Sequence, residues 1–189
     1  MKKHTTFQAG NPQTRIKKSL EKSAPIYHFY SQEHLEADLH GNTYRKINDK
    51  LICTFDDVQL LSEGDLIYSM ISGQGALVSK KHAGYLFTQN FVKIEPHKDV
   101  SKKYLLYLLN DSTKVKKQIE LNLQGSMVRK VTISVLKDIV LPVLPNFEKQ
   151  ELIGSLYLNQ LQLETLKMKR LNQEHLAMME KLKRITDGI

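Results

Sequence analysis

The side chains with the most chemical potential in this sequence are its histidines and its paired aspartates, and their spacing argues against catalysis. His28, His34 and His40 recur every six residues. That interval fits neither adjacent turns of a helix nor the short spacings that gather metal ligands, so the three read as ordinary polar residues. Asp56 and Asp57 could hold a metal for nuclease chemistry. An adjacent pair without a nearby acidic and lysine partner motif reads instead as a loop or a cap. Cys53 is the single cysteine, which excludes an intramolecular disulfide and a cysteine-based zinc cluster. A DNA methyltransferase would need a cofactor-binding glycine motif and an Asn or Asp followed by two prolines, whereas the one Asn-Pro pair here is Asn11-Pro12, followed by Gln13. Gly73-Gln74-Gly75-Ala76 lacks the lysine and the Ser or Thr that a phosphate-cradling loop carries into its helix. The expectation is a chain with no catalytic residues, no metal and no cofactor.

The remaining polar clusters suit a polyanion. Lysine and arginine number 28 against 20 acidic residues, a net charge of +8, and such a field attracts nucleic acid. Phosphates are held by Lys, Arg and main-chain amides, while base edges are read by Arg, Lys, Asn, Gln, Ser and aromatic side chains on loops. Four stretches combine both types: Tyr44-Arg45-Lys46 after a Gly-Asn turn, Ser72-Gly73-Gln74, Lys80-Lys81-His82, and Ser126-Met127-Val128-Arg129-Lys130 after a glycine. The candidate DNA-binding residues are therefore Tyr44, Arg45, Lys46, Ser72, Gln74, Lys80, Lys81, His82, Arg129 and Lys130. Gln89 and Asn90 read equally as hydrogen-bonding residues that brace such loops.

These loops need a scaffold, and the periodicity predicts a mixed α/β one of short strands and helices. Residues 1–25 carry Gly10, Pro12 and a basic cluster, and read as a loop or arm. Ser62-Glu63-Gly64-Asp65 forms a turn ahead of a buried strand at 66–71. Gly73, Gln74 and Gly75 turn the chain back through 76–79, and 91–94 adds a strand ended by Pro96. Apolar spacings of three and four predict helices between 101 and 123, interrupted at Asn110-Asp111-Ser112, with Ser112 as N-cap and Gly125 as the stop. Residues 139–144 contain Pro142 and suit a sheet edge.

After Pro145 the pattern changes. From Asn146, a good N-cap, to about Thr186 there is no proline and one glycine, Gly154, so a single helix can occupy the whole stretch. At 1.5 Å per residue it would be a rod of about 60 Å, too long for the preceding globule to cover. Leu161, Met168, His175 and Leu182 fall seven apart, and Tyr157, Glu164, Leu171, Met178 and Ile185 take the matching positions. That is a coiled-coil seam, in which Tyr157, Leu161, Met168, Leu171, Met178, Leu182 and Ile185 are the candidate dimer contacts. The sequence thus divides into a recognition domain at 1–145 and a dimerisation or spacer helix at 146–189.

The order of several segments resembles type I restriction-modification specificity subunits. Leu61-Ser62-Glu63-Gly64-Asp65-Leu66-Ile67-Tyr68-Ser69-Met70 is similar to that family's "leucine, x, x, glycine, aspartate, two apolar, x, serine" segment. It is followed, in the family's order, by 85–91 with Gln89-Asn90-Phe91, by the helix at 103–109, and by Gly125-Ser126 before an apolar strand. Leu141-Pro142-Val143-Leu144-Pro145, then Gln150 and Ile153, resembles the proline-rich exit into the family's helix. The likeness spans about 27–171. It implies a target-recognition domain that is not itself catalytic and holds double-stranded DNA while a partner methyltransferase flips out and methylates an adenine.

A full subunit of that family carries two such domains separated by two long antiparallel helices. This chain resembles half of that, which implies a homodimer joined through 146–186, with methyltransferase and possibly restriction subunits as partners. No continuous apolar stretch suits export or membrane spanning, so a cytoplasmic location is expected. An alternative of another class is a coiled-coil interaction adaptor or regulator derived from such a subunit, without DNA recognition.

Overall fold

The computed structural model describes residues 1–41, 49–123 and 130–188. Its centre is a four-stranded antiparallel sheet in the order β1-β6-β4-β5, formed by β1 (Thr5–Ala9), β4 (Leu66–Ser69), β5 (Gln74–Leu77) and β6 (Phe91–Pro96). A two-stranded pair, β2 (Ile26–His28) with β3 (Leu51–Cys53), stands apart from it. Every residue of β4 is buried, as a short apolar run without polar alternation requires. Its register is fixed on both sides, with Leu66 opposite Leu77 and Ile94. The turn entering β4 is the expected one: Gly64 has φ 78°, and the Asp65 carboxylate accepts from the Ser62 backbone N–H at 2.8 Å.

Five helices complete the chain: α1 (Gln32–His40), α2 (Lys102–Asp111), α3 (Thr113–Leu123), α4 (Ile133–Asp138) and α5 (Phe147–Thr186). The break between α2 and α3 falls at the expected Ser112. Tyr104, Leu105, Leu106, Leu108 and Leu109 are all buried, because α2 lies between the sheet on one side and α5 on the other. Asn110 closes the edge of β5: its Oδ1 accepts from Gly75 N at 2.8 Å and its Nδ2 donates to Gly75 O at 3.0 Å. A side-chain amide here takes the place of a further strand, so the edge is not left open.

Three local expectations are corrected. The N-terminal segment is no free arm, because Thr5–Ala9 pairs along β6 from Thr5 opposite Pro96 to Ala9 opposite Val92. Residues 139–144 form no strand; the Gln118 side chain accepts from Val140 N at 2.8 Å and donates to Val140 O at 3.0 Å, satisfying one residue's backbone as a neighbouring strand would. The apolar stretch expected as a strand after Gly125-Ser126 is instead helical at α4, where the Thr132 hydroxyl accepts from Val135 N at 3.3 Å as the N-cap. Gly125 itself lies outside the described residues.

The long helix is unbroken over 40 residues. Asn146 caps it, its Oδ1 accepting from Lys149 N at 3.0 Å. Gly154 is not a weak point but the place where α5 crosses α2, since a Cβ there would meet Lys103 Cβ at 2.4 Å. One turn earlier, buried Gln150 accepts from Ser101 N at 3.0 Å and donates to the carbonyls of Asp99 and Pro145 at 3.0 and 2.9 Å. One buried amide satisfies three backbone groups, which locks the start of the rod to the globule.

Candidate nucleic-acid interface

Four separate segments converge on one open groove of about 360 Å³. Gln13 follows β1, Gln32 opens α1, Ile71 and Ser72 follow β4, and Asn90 precedes β6, with Lys50 at the rim. Tyr30 and Phe91, edge to face at 5.5 Å between ring centroids, form its apolar base. Each wall is a turn whose shape is set locally. Gly73 has φ 70° and donates to Ser69 O at 3.0 Å, while Phe91 N donates to Thr88 O at 2.9 Å and thereby turns Gln89 outward. The Lys50 ammonium stands 5.3 Å from the centre of the Phe29 ring, which holds a positive charge at the groove mouth.

The sequence candidates divide on inspection. Ser72 lines the groove, and Gln74 is exposed opposite Ser69 in the β4-β5 hairpin. Lys80 and Lys81 are exposed on a 3-10 turn, Lys80–His82, and neither forms an ion pair among the described residues. Lys130 donates to Asn90 Oδ1 at 3.2 Å, and its neighbour Val131 N donates to Met70 O at 2.9 Å, so this segment is fastened to both the β4 and β6 ends of the groove. Tyr44, Arg45, Lys46 and Arg129 lie outside the described residues.

His82 is a correction. Its ring is 2% exposed, with Nδ1 against Asp38 Oδ1 at 2.8 Å, while Tyr30 Oη donates to the other oxygen of the same carboxylate at 2.8 Å. A buried imidazole held this way anchors the Lys80–His82 turn to α1 through Asp38. His28 and His34, read from their spacing as unrelated polar residues, meet on Asp49 at 3.1 and 2.8 Å. The six-residue interval carried no information, because a strand and a helix lie on either side of it. His34 also accepts from Ser31 N at 2.9 Å through Nδ1 while Ser31 Oγ accepts from His34 N, a capping box with histidine in the usual Glu or Gln position. Burial lowers the His34 pKa from its ordinary value, and the hydrogen bond to Asp49 only partly offsets this. Burial, the Asp38 charge and the hydrogen bond to Asp38 raise that of Tyr30. Among the described residues no group of three His, Cys, Asp or Glu could hold a metal ion.

The expected seam on α5 also divides. Tyr157 lies against the Tyr107 ring at 5.5 Å, and it and Leu161 are partly buried against the globule's core. From Met168 outward the helix leaves the globule, and Met168, Leu171, Met178, Leu182 and Ile185 are 48% to 77% exposed.

A family profile described as type I restriction modification DNA specificity domain matches residues 7–174. The chain belongs to this family. The specificity domain is a targeting unit, not a catalytic one. Its fold is similar to a chain in a structure titled for complex assembly and conformational transition of the type I R-M system, at 19% identity and a TM-score of 0.58. It is likewise similar to the HsdS subunit from Thermoanaerobacter tengcongensis, at 18% identity and a TM-score of 0.55. The alignments cover 96% and 97% of this chain but 42% and 41% of those chains, so the specificity domain spans about two-fifths of their length. No curated protein matches. Among the described residues no helix is long and apolar enough to cross a membrane.

Proposed function

We propose that this specificity domain binds double-stranded DNA in a sequence-selective manner and directs a partner methyltransferase, with restriction subunits as further partners, to the bound site in the cytoplasm. The observation that carries the reading is the groove. Exposed or half-exposed amides, a hydroxyl and a lysine from separate turns face one concavity, in a chain whose family is defined by DNA specificity. Side chains of these types read base edges, and the exposed Lys80 and Lys81, without an ion pair among the described residues, suit phosphates. Tyr44, Arg45, Lys46 and Arg129 are further proposed DNA contacts on residue type alone. Residues 1–145 then act as the recognition unit and 146–189 as the spacer.

Two copies pair through the outer part of α5 in this reading. The exposed Met168, Leu171, Met178, Leu182 and Ile185 recur at heptad positions, and such a stripe is stable in water only when covered. Pairing there holds two recognition units apart, each over half of a split site. Selection of binders from a randomised duplex library by the full chain, followed by sequencing, tests the DNA reading. Enrichment of one motif is expected, and a selected pool indistinguishable from the input would reject it.

A further inference from the structure

Lys130 and Asn90 were separate features of the sequence, one a candidate phosphate contact and the other a candidate brace. In the structure they form one unit at the groove wall. The Lys130 ammonium donates to Asn90 Oδ1 at 3.2 Å, and Asn90 lines the groove. An ammonium has no acceptor, so the amide oxygen must be the atom turned toward Lys130, and the NH2 end is left to serve the groove. The backbone on both sides is fixed as well. Asn90 O accepts from Met70 N at 2.9 Å, and Val131 N donates to Met70 O at 2.9 Å, so strand β4 ties the two residues into register.

We infer that Asn90 is a specificity-determining residue of the DNA site, acting as a hydrogen-bond donor to an acceptor on a base edge, and that Lys130 is the positioning residue that sets this polarity. The inference rests on the DNA-binding reading above. A free asparagine can offer donor and acceptor together and so pairs bidentately with adenine. Here the oxygen is turned toward Lys130, so the amide hydrogens are the end of the side chain left to face the groove.

The test is selection of duplexes from a randomised library by the full chain, comparing wild type with Asn90→Ala, Asn90→Asp, Lys130→Met and Lys130→Arg. Asn90→Ala is expected to lower the base preference at one position of the motif by about tenfold, the effect of one lost hydrogen bond to a base, with the other positions unchanged. Asn90→Asp keeps the shape and the Lys130 contact but removes the donor, and is expected to lose the same preference. Lys130→Met weakens preference at that same position, and Lys130→Arg, which restores a donor to Oδ1, recovers it.

A motif unchanged in Asn90→Ala, even with a lower melting temperature, would overturn the inference and leave Asn90 as a brace. Retention of the preference in Asn90→Asp would assign the reading to the oxygen and overturn it equally. A wild-type chain that selects no motif would instead overturn the DNA-binding reading on which the inference stands.

Discussion

Gly154 on α5 and Lys103 on α2 touch where the two helices cross, and no side chain fits between them. A Cβ on Gly154 would stand 2.4 Å from Lys103 Cβ, 2.5 Å from Lys103 C and 2.6 Å from Tyr104 N. Two of these are backbone atoms, so relief requires moving a whole helix. Alanine would gain about 1 kcal/mol of helix propensity over glycine, but overpacking of this kind costs about 1–3 kcal/mol. Gly154→Ala is expected to be net destabilising in urea unfolding, and Gly154→Leu more so.

Gln150 makes the opposite test, by removal. In Gln150→Leu, buried Ser101 N and the half-buried carbonyls of Asp99 and Pro145 lose their partner. Leaving such groups unsatisfied costs about 1–3 kcal/mol each when no water reaches them. A loss of about 1–3 kcal/mol in equilibrium unfolding is expected, while Glu148→Gln, at an exposed position two residues earlier, should change little.

The His34 capping box gives the fold an acid-sensitive joint. Nδ1 accepts from Ser31 N, so protonation there breaks the bond that starts α1. Asp49, Asp38, His82, Tyr30 and Tyr85 surround the ring. Its folded pKa is lowered from 6.5 by burial, so below 6.5 the unfolded state binds the extra proton first. The stability linked to His34 is therefore full above about pH 7 and falls as pH drops below 6.5. His34→Gln should flatten that part of the stability profile between pH 7 and 5, as read by urea midpoints.

Much of this was legible in the sequence, and the misses have specific causes. The α5 rod announced itself through Asn146, the absence of proline and the apolar period, and the β4-β5 hairpin through Gly73. β1 did not, because Thr-Thr-Phe-Gln-Ala has weak apolar alternation and its partner β6 lies far along the chain. α1 was hidden because its buried apolar residues are only Leu35 and Leu39 and its cap uses a histidine. His82 was placed with Lys80 and Lys81 by adjacency, although the turn exposes the lysines and buries the imidazole. Tyr157 and Leu161 fit the heptad, yet periodicity alone does not say whether a stripe faces its own globule or a partner.

The outer seam is open to direct disruption. Leu171→Glu combined with Met178→Glu places charges in the middle of the exposed stripe, where pairing would bury them. Sedimentation equilibrium is expected to give a dimer for the wild-type chain and a monomer for the double variant, with unchanged melting of the globule. A monomeric wild type would reject the seam.

Lys80 and Lys81 address phosphate binding. Replacing both with Gln should weaken binding to every duplex alike and reduce the slope of log K against log salt by about 0.9 per lost phosphate contact. Sequence preference should stay as in wild type, since these side chains carry no base information. An unchanged slope would remove this turn from the interface.

Selective DNA recognition is measured by the specificity ratio. Affinities of the full chain for its selected duplex and for a scrambled duplex are to be compared at several salt concentrations, alone and with a type I methyltransferase subunit added. The expected ratio rises toward about 10³ or more in the complex, the lower end for specific protein–DNA binding, and is largely insensitive to salt. A ratio near one at every salt concentration, in the presence of the partner, would contradict it.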